Sequence, residues 1–281
     1  MPVPAGRDSQ VSLGKQVRLS RLFAHASGRF CSVAVDHFIG YQDGLPAGLV
    51  NLPATIAHIV AGAPDAITMH KGVALSCWPR HAGAIPLIVQ SIIGRPDDSA
   101  DEHLAVPEDA VRLGAEAFAT CAFVRGASEA AHLRRVADFV RQAEGWQMPV
   151  IVHVYPRKTG ADGKAGISFA PEDIAWAVRC AVESGVDVIK VPFTGDPASY
   201  GQIVRDCPLP IVAAGGPQAG TLGDALSMAA AVVASGARGM TIGRNVWGFG
   251  NVTAAVRAFK AVIHDKTSPA EAIKRAESTG E

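Results

Sequence analysis

Lys190 stands inside an apolar run in which a charged side chain needs an explanation. The run, VDVIKVPF over 186–193, is rich in β-branched residues and predicts a buried strand. A buried ammonium group must lose its charge or find a partner. If strand alternation turns Lys190 inward, desolvation lowers the pKa of its amine, and a neutral amine can attack a carbonyl carbon. The alternative is a structural lysine held against a neighbouring carboxylate.

His153 and Tyr155 lie two residues apart on the preceding apolar run, PVIVHVY over 149–155. Strand alternation places their side chains on one face. A phenol beside a reactive lysine can pass a proton to and from a substrate hydroxyl. A tyrosine at a strand end can also simply hydrogen-bond a loop, so the catalytic interpretation depends on proximity to Lys190.

Asp36 and His37 follow the first apolar run, and His70 and Lys71 follow the second. The carboxylate of Asp36 can balance a lysine or move protons, and the alternative is a cap for the following segment. For His37 the sequence leaves open a substrate contact or a structural strand-end histidine. Lys71 could contact an anionic substrate, but a position in solvent is the preferred interpretation.

Glycines end the last two apolar runs, in AAGGPQ over 213–218 and TIGRNVWG over 241–248. Gly215, Gly216 and Gly243 allow backbone N–H groups to approach a phosphate, and Arg244 adds a planar pair of donors. The alternative is a pair of tight turns with a surface arginine. The occurrence of both motifs at consecutive strand ends favours a phosphate site.

Alternation of β-rich runs with alanine-rich helical patterns continues along the chain and predicts eight strand–helix units. The predicted strands cover 30–37, 65–70, 85–92, 116–124, 149–155, 186–193, 210–216 and 237–243. This repetition, without a break in composition, predicts a single (β/α)₈ TIM barrel over residues 1–281. An open doubly wound sheet is the alternative.

Four segments are expected to lie outside the regular elements. The N-terminal residues, about 20 of them, and the tail after about Lys266 are predicted to be peripheral. The stretches 76–82 and 157–169 are predicted to be long loops, the second on the face that carries the reactive groups.

Composition excludes several classes of function. The 26 basic and 26 acidic side chains cancel, so nothing in the charge favours nucleic acid or an anionic membrane as a partner. No apolar run approaches the roughly 20 residues that span a bilayer, and the first residues lack an apolar signal core. The five cysteines lack a CxxC spacing, which favours reduced thiols and a cytoplasmic protein. Nothing in the histidine spacing supports a metal site.

The strand-end motifs as a set resemble those of the DhnA-type class I aldolases, relatives of the deoxyribose-phosphate aldolases. The motifs are VAVDH, DAITMHKG, VIVHVYPR, DVIKVPFTGD, VAAGGP and GMTIGRNVWG, in order from about residue 30 to 260. The family includes archaeal-type class I fructose-bisphosphate aldolases, an aldolase-like enzyme that makes an aminodideoxyheptulosonate, and a thiolase acting on phosphorylated autoinducer-2. The resemblance implies a (β/α)₈ barrel that assembles into a ring or double ring, such as a decamer.

The resemblance also implies roles for single residues. Lys190 matches the Schiff-base lysine, Tyr155 the general acid/base, and Asp36 the strand-one aspartate that assists proton transfer. The four glycine-turn residues match the phosphate pocket; they are Gly215, Gly216, Gly243 and Arg244. Two positions depart from the family pattern, since Gln218 replaces a frequent lysine and His153 stands where the fructose-bisphosphate enzymes tend to carry tryptophan.

The function expected from these residues is that of a class I aldolase that needs no metal and no cofactor and acts on a phosphorylated ketose. His37 and His153 are assigned to substrate binding with the glycine-turn residues. Two alternatives stay open: acyl transfer of the thiolase type by the same lysine, and a catalytically silent barrel that serves as a binding protein. The expected partner is a small phosphorylated sugar or keto compound.

Overall fold

The computed structural model describes residues 11–37 and 44–278. The strands are β1 (Phe30–Ala34), β2 (Ala66–His70), β3 (Leu87–Gln90), β4 (Ile92–Gly94), β5 (Asp101–His103), β6 (Ala117–Val124), β7 (Val150–Thr159), β8 (Ala165–Ile167), β9 (Val188–Val191), β10 (Ile211–Ala214) and β11 (Gly239–Ile242). The helices are α1 (Leu13–Leu22), α2 (Leu52–Ala61), α3 (Lys71–Cys77), α4 (Pro107–Arg112), α5 (Glu129–Gly145), α6 (Pro171–Glu183), α7 (Pro197–Asp206), α8 (Leu222–Ala234), α9 (Arg244–Trp247), α10 (Val252–Asp265) and α11 (Pro269–Ser278).

Eight parallel strands form a closed barrel. Their order is β6-β3-β2-β1-β11-β10-β9-β7, and pairing of β6 with β7 closes the sheet. Each predicted strand is present, with ends within a few residues of those expected. The (β/α)₈ prediction is therefore confirmed, and the open-sheet alternative is wrong, because an open doubly wound sheet does not join its two edge strands.

Strand alternation divides the apolar side chains between two cores. Val188 packs inside the barrel with Ile151 and Val212. Ile189 and Val191, on the other face of the same strand, pack in the layer between barrel and helices. Burial of one such side chain contributes roughly 1.5–3 kcal/mol. This alternation fixes the side of the sheet on which Lys190 lies.

Both ends of the described chain pack against the barrel more closely than their composition suggests. Leu22 of α1 is fully buried among the side chains that fill the interior, and Lys15 Nζ lies 2.9 Å from Asp187 Oδ2. At the other end, Ala272 and Ala276 of α11 are buried against the outer layer. Helix α1 therefore covers one end of the barrel core, and α11 extends its helical shell.

The two segments predicted as long loops are mostly regular. Residues 76–82 contain the end of α3 and a 3₁₀ helix, Pro79–His81. Within 157–169, β7 continues to Thr159 and pairs antiparallel with β8. Glycine and charged residues there indicated a loop, but backbone pairing between Arg157 and Ile167 makes a β-hairpin. A second hairpin, β4–β5, follows β3 and was not predicted.

None of the helices in the described part of the chain combines the length and the apolar character that crossing a membrane requires.

Candidate active site

A cavity of about 940 Å³ opens at the carboxyl ends of the barrel strands. Its walls rise above the strand ends on the two hairpins, which contribute Arg95 and Pro96 on one side and Lys164 and Ile167 on the other. The nine residues that the sequence predicts to form the site all line this cavity. They are Asp36, His37, His153, Tyr155, Lys190, Gly215, Gly216, Gly243 and Arg244.

Lys190 points into the barrel and is 5% exposed. Its partners in register are His153 on β7 and Val212 on β10. Burial lowers the pKa of the Lys190 amine below its ordinary value, and the charge of Asp36 partly opposes the shift. The amine therefore reaches its neutral, nucleophilic form at a lower pH than an exposed lysine does.

Asp36 and His37 follow β1 at the rim of the cavity. Burial alone would raise the pKa of the Asp36 carboxyl, but the combined charges of the neighbouring His37, Lys190, His153 and His70 hold that pKa well below its ordinary value. Burial lowers the pKa of His37 to about 4, although Asp36 opposes the shift. His37 Nδ1 lies 3.4 Å from Asp36 Oδ1. At neutral pH the site thus holds a carboxylate beside an uncharged imidazole.

Gln90, at the end of β3, is a cavity residue that was not predicted. Its Nε2 lies 3.1 Å from Asp36 Oδ2 and 3.1 Å from His153 Nδ1, so one amide joins residues from two strands. A polar residue at the carboxyl end of the apolar run IPLIVQSI was the available sequence signal. Glutamine does not titrate, so its residue type alone does not indicate a catalytic role.

Tyr155 and Cys121 complete the wall around the lysine. Tyr155 stacks on Phe123 of the neighbouring strand, with ring centroids 5.9 Å apart. Cys121 lies in register with His153, and burial raises the pKa of its thiol to about 12. The thiol is therefore protonated near neutrality and is a weak nucleophile there.

The glycine turns that follow β10 and β11 are held by hydrogen bonds to their backbone atoms. Gly215 N–H donates to Thr241 O at 2.9 Å, and Arg244 Nη2 donates to Gly216 O at 3.0 Å. Asn245 Nδ2 donates to Gly215 O at 2.8 Å. A methyl group at position 243 would overlap the His37 imidazole, so the close approach of the chain there requires glycine.

Three residues considered in the sequence lie away from the cavity wall. His70 is buried beneath it, with Nε2 3.3 Å from Asp36 O. Lys71 Nζ pairs with Asp109 Oδ1 at 2.7 Å instead of standing free in solvent. Gln218 donates to Gly248 O at 3.2 Å. Within residues 11–37 and 44–278, no group of three His, Cys, Asp or Glu side chains has the arrangement of a metal site.

The arrangement brings together the groups that amine-based covalent catalysis requires. Lys190 offers a desolvated amine, Asp36 an ionised carboxylate, and Tyr155 a phenol, and all three line the same cavity. An amine of this kind can condense with a carbonyl compound, and the resulting iminium withdraws electrons from the adjacent bonds.

Comparison with known protein sequences also relates this chain to aldolases. Residues 30–248 match the DeoC/LacD family aldolase profile. The chain is 31% identical to a 2-amino-3,7-dideoxy-D-threo-hept-6-ulosonate synthase of Halobacterium salinarum, over 94% of this chain and 96% of that protein. It is 30% identical to a class 1 fructose-bisphosphate aldolase of Thermoproteus tenax, over 89% of this chain and 95% of that protein.

Solved structures with the same fold include Schiff-base aldolases. An archaeal fructose-1,6-bisphosphate aldolase, whose catalytic lysine is covalently bound to the carbinolamine intermediate of its substrate, superposes with a TM-score of 0.77 at 28% identity. The match covers 88% of this chain and 98% of that one. A Schiff-base-forming fructose-1,6-bisphosphate aldolase matches with a TM-score of 0.75 at 26% identity, over 88% and 98% of the two chains. Since the family profile spans most of the barrel, this chain belongs to the DeoC/LacD family of aldolases.

Proposed function

We propose that this protein is a class I aldolase that cleaves or forms a carbon–carbon bond in a phosphorylated ketose through a Schiff base on Lys190. The observation that carries the proposal is the position of Lys190, whose buried amine lies on the cavity wall in register with His153. Family membership supplies the reaction class. The names of the two relatives, both of which are enzymes of keto sugars, support a ketose substrate.

The proposed reaction begins at the amine. Neutral Lys190 adds to the ketone carbon, and Asp36 helps transfer the protons by which the carbinolamine loses water to become an iminium. Tyr155 then acts as the general base and takes the proton of the hydroxyl on the carbon β to the iminium carbon. The carbon–carbon bond then breaks, an aldehyde leaves, and the bonding electrons form an enamine on the lysine. Protonation and hydrolysis of the enamine release the second product.

The glycine turns support a phosphate at one end of the substrate. Gly215, Gly216, Gly243 and Arg244 all line the cavity, and the N–H of Gly215 is already donated to Thr241 O. Phosphate binding there would hold the ketone over Lys190, so binding energy is used for orientation. His37 contacts both Gly243 and Asp36, so in this proposal it would lie between the phosphate and the carboxylate.

Covalent catalysis by an amine explains why the proposed reaction requires neither a metal nor an organic cofactor. We place the protein in the cytoplasm, since all five cysteines lie in the described ranges as free thiols, which fits a reducing compartment. We propose that copies of the chain assemble into a ring or a double ring, as the family resemblance implies. The chain is proposed to be one catalytic domain.

Reductive trapping tests the proposal. The protein is incubated with dihydroxyacetone phosphate and borohydride, and peptide mass spectrometry locates the adduct. A stable adduct on Lys190 supports the aldolase. No adduct with any of a panel of phosphorylated and unphosphorylated keto compounds supports the silent barrel instead.

Two further measurements separate the chemical alternatives. Formation of a thioester from an acyl donor and coenzyme A, with no cleavage of any ketose, would establish the thiolase reaction. Loss of activity in a chelator would establish metal-dependent cleavage, whereas we expect activity to persist. A screen that includes fructose 1,6-bisphosphate then identifies the sugar.

A further inference from the structure

The Gln90 side chain uses all four of its hydrogen-bonding positions, and this fixes its orientation. Its Oε1 accepts from Ser91 N–H at 3.0 Å and from Ile92 N–H at 3.2 Å. Backbone N–H groups can only donate, so the oxygen must occupy this end of the amide. Its Nε2 then faces Asp36 Oδ2 at 3.1 Å and His153 Nδ1 at 3.1 Å.

This orientation decides the proton positions on His153. Both Gln90 Nε2 hydrogens are donors, one for Asp36 and one for the imidazole, so His153 Nδ1 must present its lone pair. A neutral imidazole with an unprotonated Nδ1 carries its proton on Nε2. Gln90 is 2% exposed, so water does not compete with these bonds.

The charges around His153 favour the same neutral form. Burial lowers its pKa well below the ordinary value, and the neighbouring Lys190 lowers it further, while Asp36 opposes both. A proton added at Nδ1 would also confront the N–H of Gln90. His153 therefore remains a neutral ring beside the reactive amine.

We propose that Gln90 is a positioning residue that holds His153 as the Nε2–H tautomer, so that His153 donates a hydrogen bond to a substrate oxygen next to the bond that breaks. The inference rests on the proposed Schiff-base reaction. His153 is in register with Lys190 and two residues from Tyr155 on the same strand, so a substrate bound to the lysine would lie beside it. The substrate oxygen concerned is the hydroxyl oxygen on the carbon that leaves as the aldehyde.

In the proposed step His153 keeps its proton. Tyr155 removes the hydroxyl proton, the carbon–carbon electrons move into the iminium, and the hydroxyl oxygen becomes the aldehyde oxygen. The Nε2–H bond to that oxygen strengthens as negative charge develops on it. A neutral Nε2–H ring cannot accept a proton at this nitrogen, so His153 does not act as the general base.

Histidine-selective ¹⁵N labelling tests the tautomer in the intact protein without any substrate. The His153 signals are assigned by their disappearance in His153→Gln. We expect a protonated Nε2 and an unprotonated Nδ1 in the wild type. A protonated Nδ1 in the wild type overturns the proposal.

Substitution of Gln90 tests the cause. In Gln90→Glu a carboxylate oxygen replaces the amide nitrogen that faces His153 Nδ1, so the imidazole proton should move to Nδ1. Gln90→Leu removes the hydrogen bond to Nδ1 altogether and leaves both tautomers possible. We expect kcat for cleavage to fall about a hundredfold in both variants, while borohydride trapping on Lys190 persists. Gln202→Leu, on the exposed surface of α7, is the matched control and should change neither quantity.

Two substitutions at His153 separate a donor at Nε2 from one at Nδ1. The amide nitrogen of Gln lies near the place of Nε2, and that of Asn lies near the place of Nδ1. We expect His153→Gln to retain more of kcat than His153→Asn. Equal kcat in both variants, or an unchanged tautomer and kcat in Gln90→Leu, contradicts the positioning role. Failure of trapping in the wild type would instead contradict the Schiff-base reaction and leave the tautomer result standing.

Discussion

His153 and Lys190 occupy matching positions on the neighbouring parallel strands β7 and β9, and both side chains line the same cavity. The register brings a buried amine against an imidazole whose Nδ1 already faces Gln90. Burial lowers the pKa of both groups, so neither holds its charge as readily as in water. These two groups lie together on the wall of the candidate site.

Replacement of Lys190 by methionine should abolish turnover. Lys190→Met retains the apolar stem but lacks the amine that forms the Schiff base, so kcat should fall by at least about a thousandfold. Borohydride trapping with dihydroxyacetone phosphate should also be lost. Lys71→Met is the control, because Lys71 pairs with Asp109 and does not line the cavity. Turnover by Lys190→Met near the wild-type rate would exclude the lysine as nucleophile.

Asp36 should control the pH at which Lys190 becomes reactive. Its charge raises the pKa of the amine against the larger effect of burial. Asp36→Asn removes the charge, so the pKa of Lys190 falls further and the neutral fraction at a given pH increases. Trace acetylation with acetic anhydride, followed over pH at the Lys190 peptide, should show a profile displaced to lower pH. An unchanged profile would mean that the charge of Asp36 does not act on the amine.

Tyr155 should be required for bond cleavage but not for capture of the substrate. Tyr155→Phe keeps the ring that stacks on Phe123 and removes the hydroxyl. We expect kcat to fall about 10²- to 10⁴-fold while borohydride trapping persists. Tyr200→Phe is the matched control, since its hydroxyl donates to Val191 O at 3.3 Å in the outer layer. That variant should lose about 1 kcal/mol of unfolding free energy and keep its kcat. Equal kcat values in the two variants would remove Tyr155 from the mechanism.

A methyl group at position 243 should disturb the site through His37. The Cβ of Gly243→Ala would overlap the imidazole, which must then change its position beside Asp36. We expect kcat/KM to fall about tenfold or more, because small displacements at a site of this kind are costly. Gly72→Ala places its Cβ in open space on α3 and should leave kcat/KM unchanged. An unaltered kcat/KM in Gly243→Ala would show that the position of His37 is unimportant.

Arg244 should discriminate between phosphorylated and unphosphorylated substrates. In Arg244→Met, KM for a phosphorylated ketose should rise about tenfold, since a charge-assisted hydrogen bond is lost. KM for the unphosphorylated analogue should stay the same. Arg141→Met is the control, because that guanidinium lies on the surface of α5 beside Asp138. Equal increases for both substrates would argue against a phosphate at this wall.

Much of the fold could be predicted from the sequence because its signals are local. The eight β-branched runs and the helical patterns between them report on backbone conformation and on which face is buried. Alternation alone placed Lys190 opposite Ile189, and the structure has them on opposite faces of β9. The polar residues at strand ends were predictable as a group, because parallel strands of a barrel end on one face.

The tertiary structure decided the relationships that depend on strand register and on residues distant in sequence. Gln90 and His153 are 63 positions apart, and nothing local shows that one amide joins the imidazole to Asp36. The hairpins that wall the cavity arise from backbone pairing, which glycine and charged residues concealed in the sequence. The close approach of His37 to Gly243 likewise depends on how near two strand ends lie to each other. The sequence by itself determined which groups end the strands, and the closed barrel decided which of them touch, because side-chain contacts across a sheet follow the pairing of strands far apart in the chain.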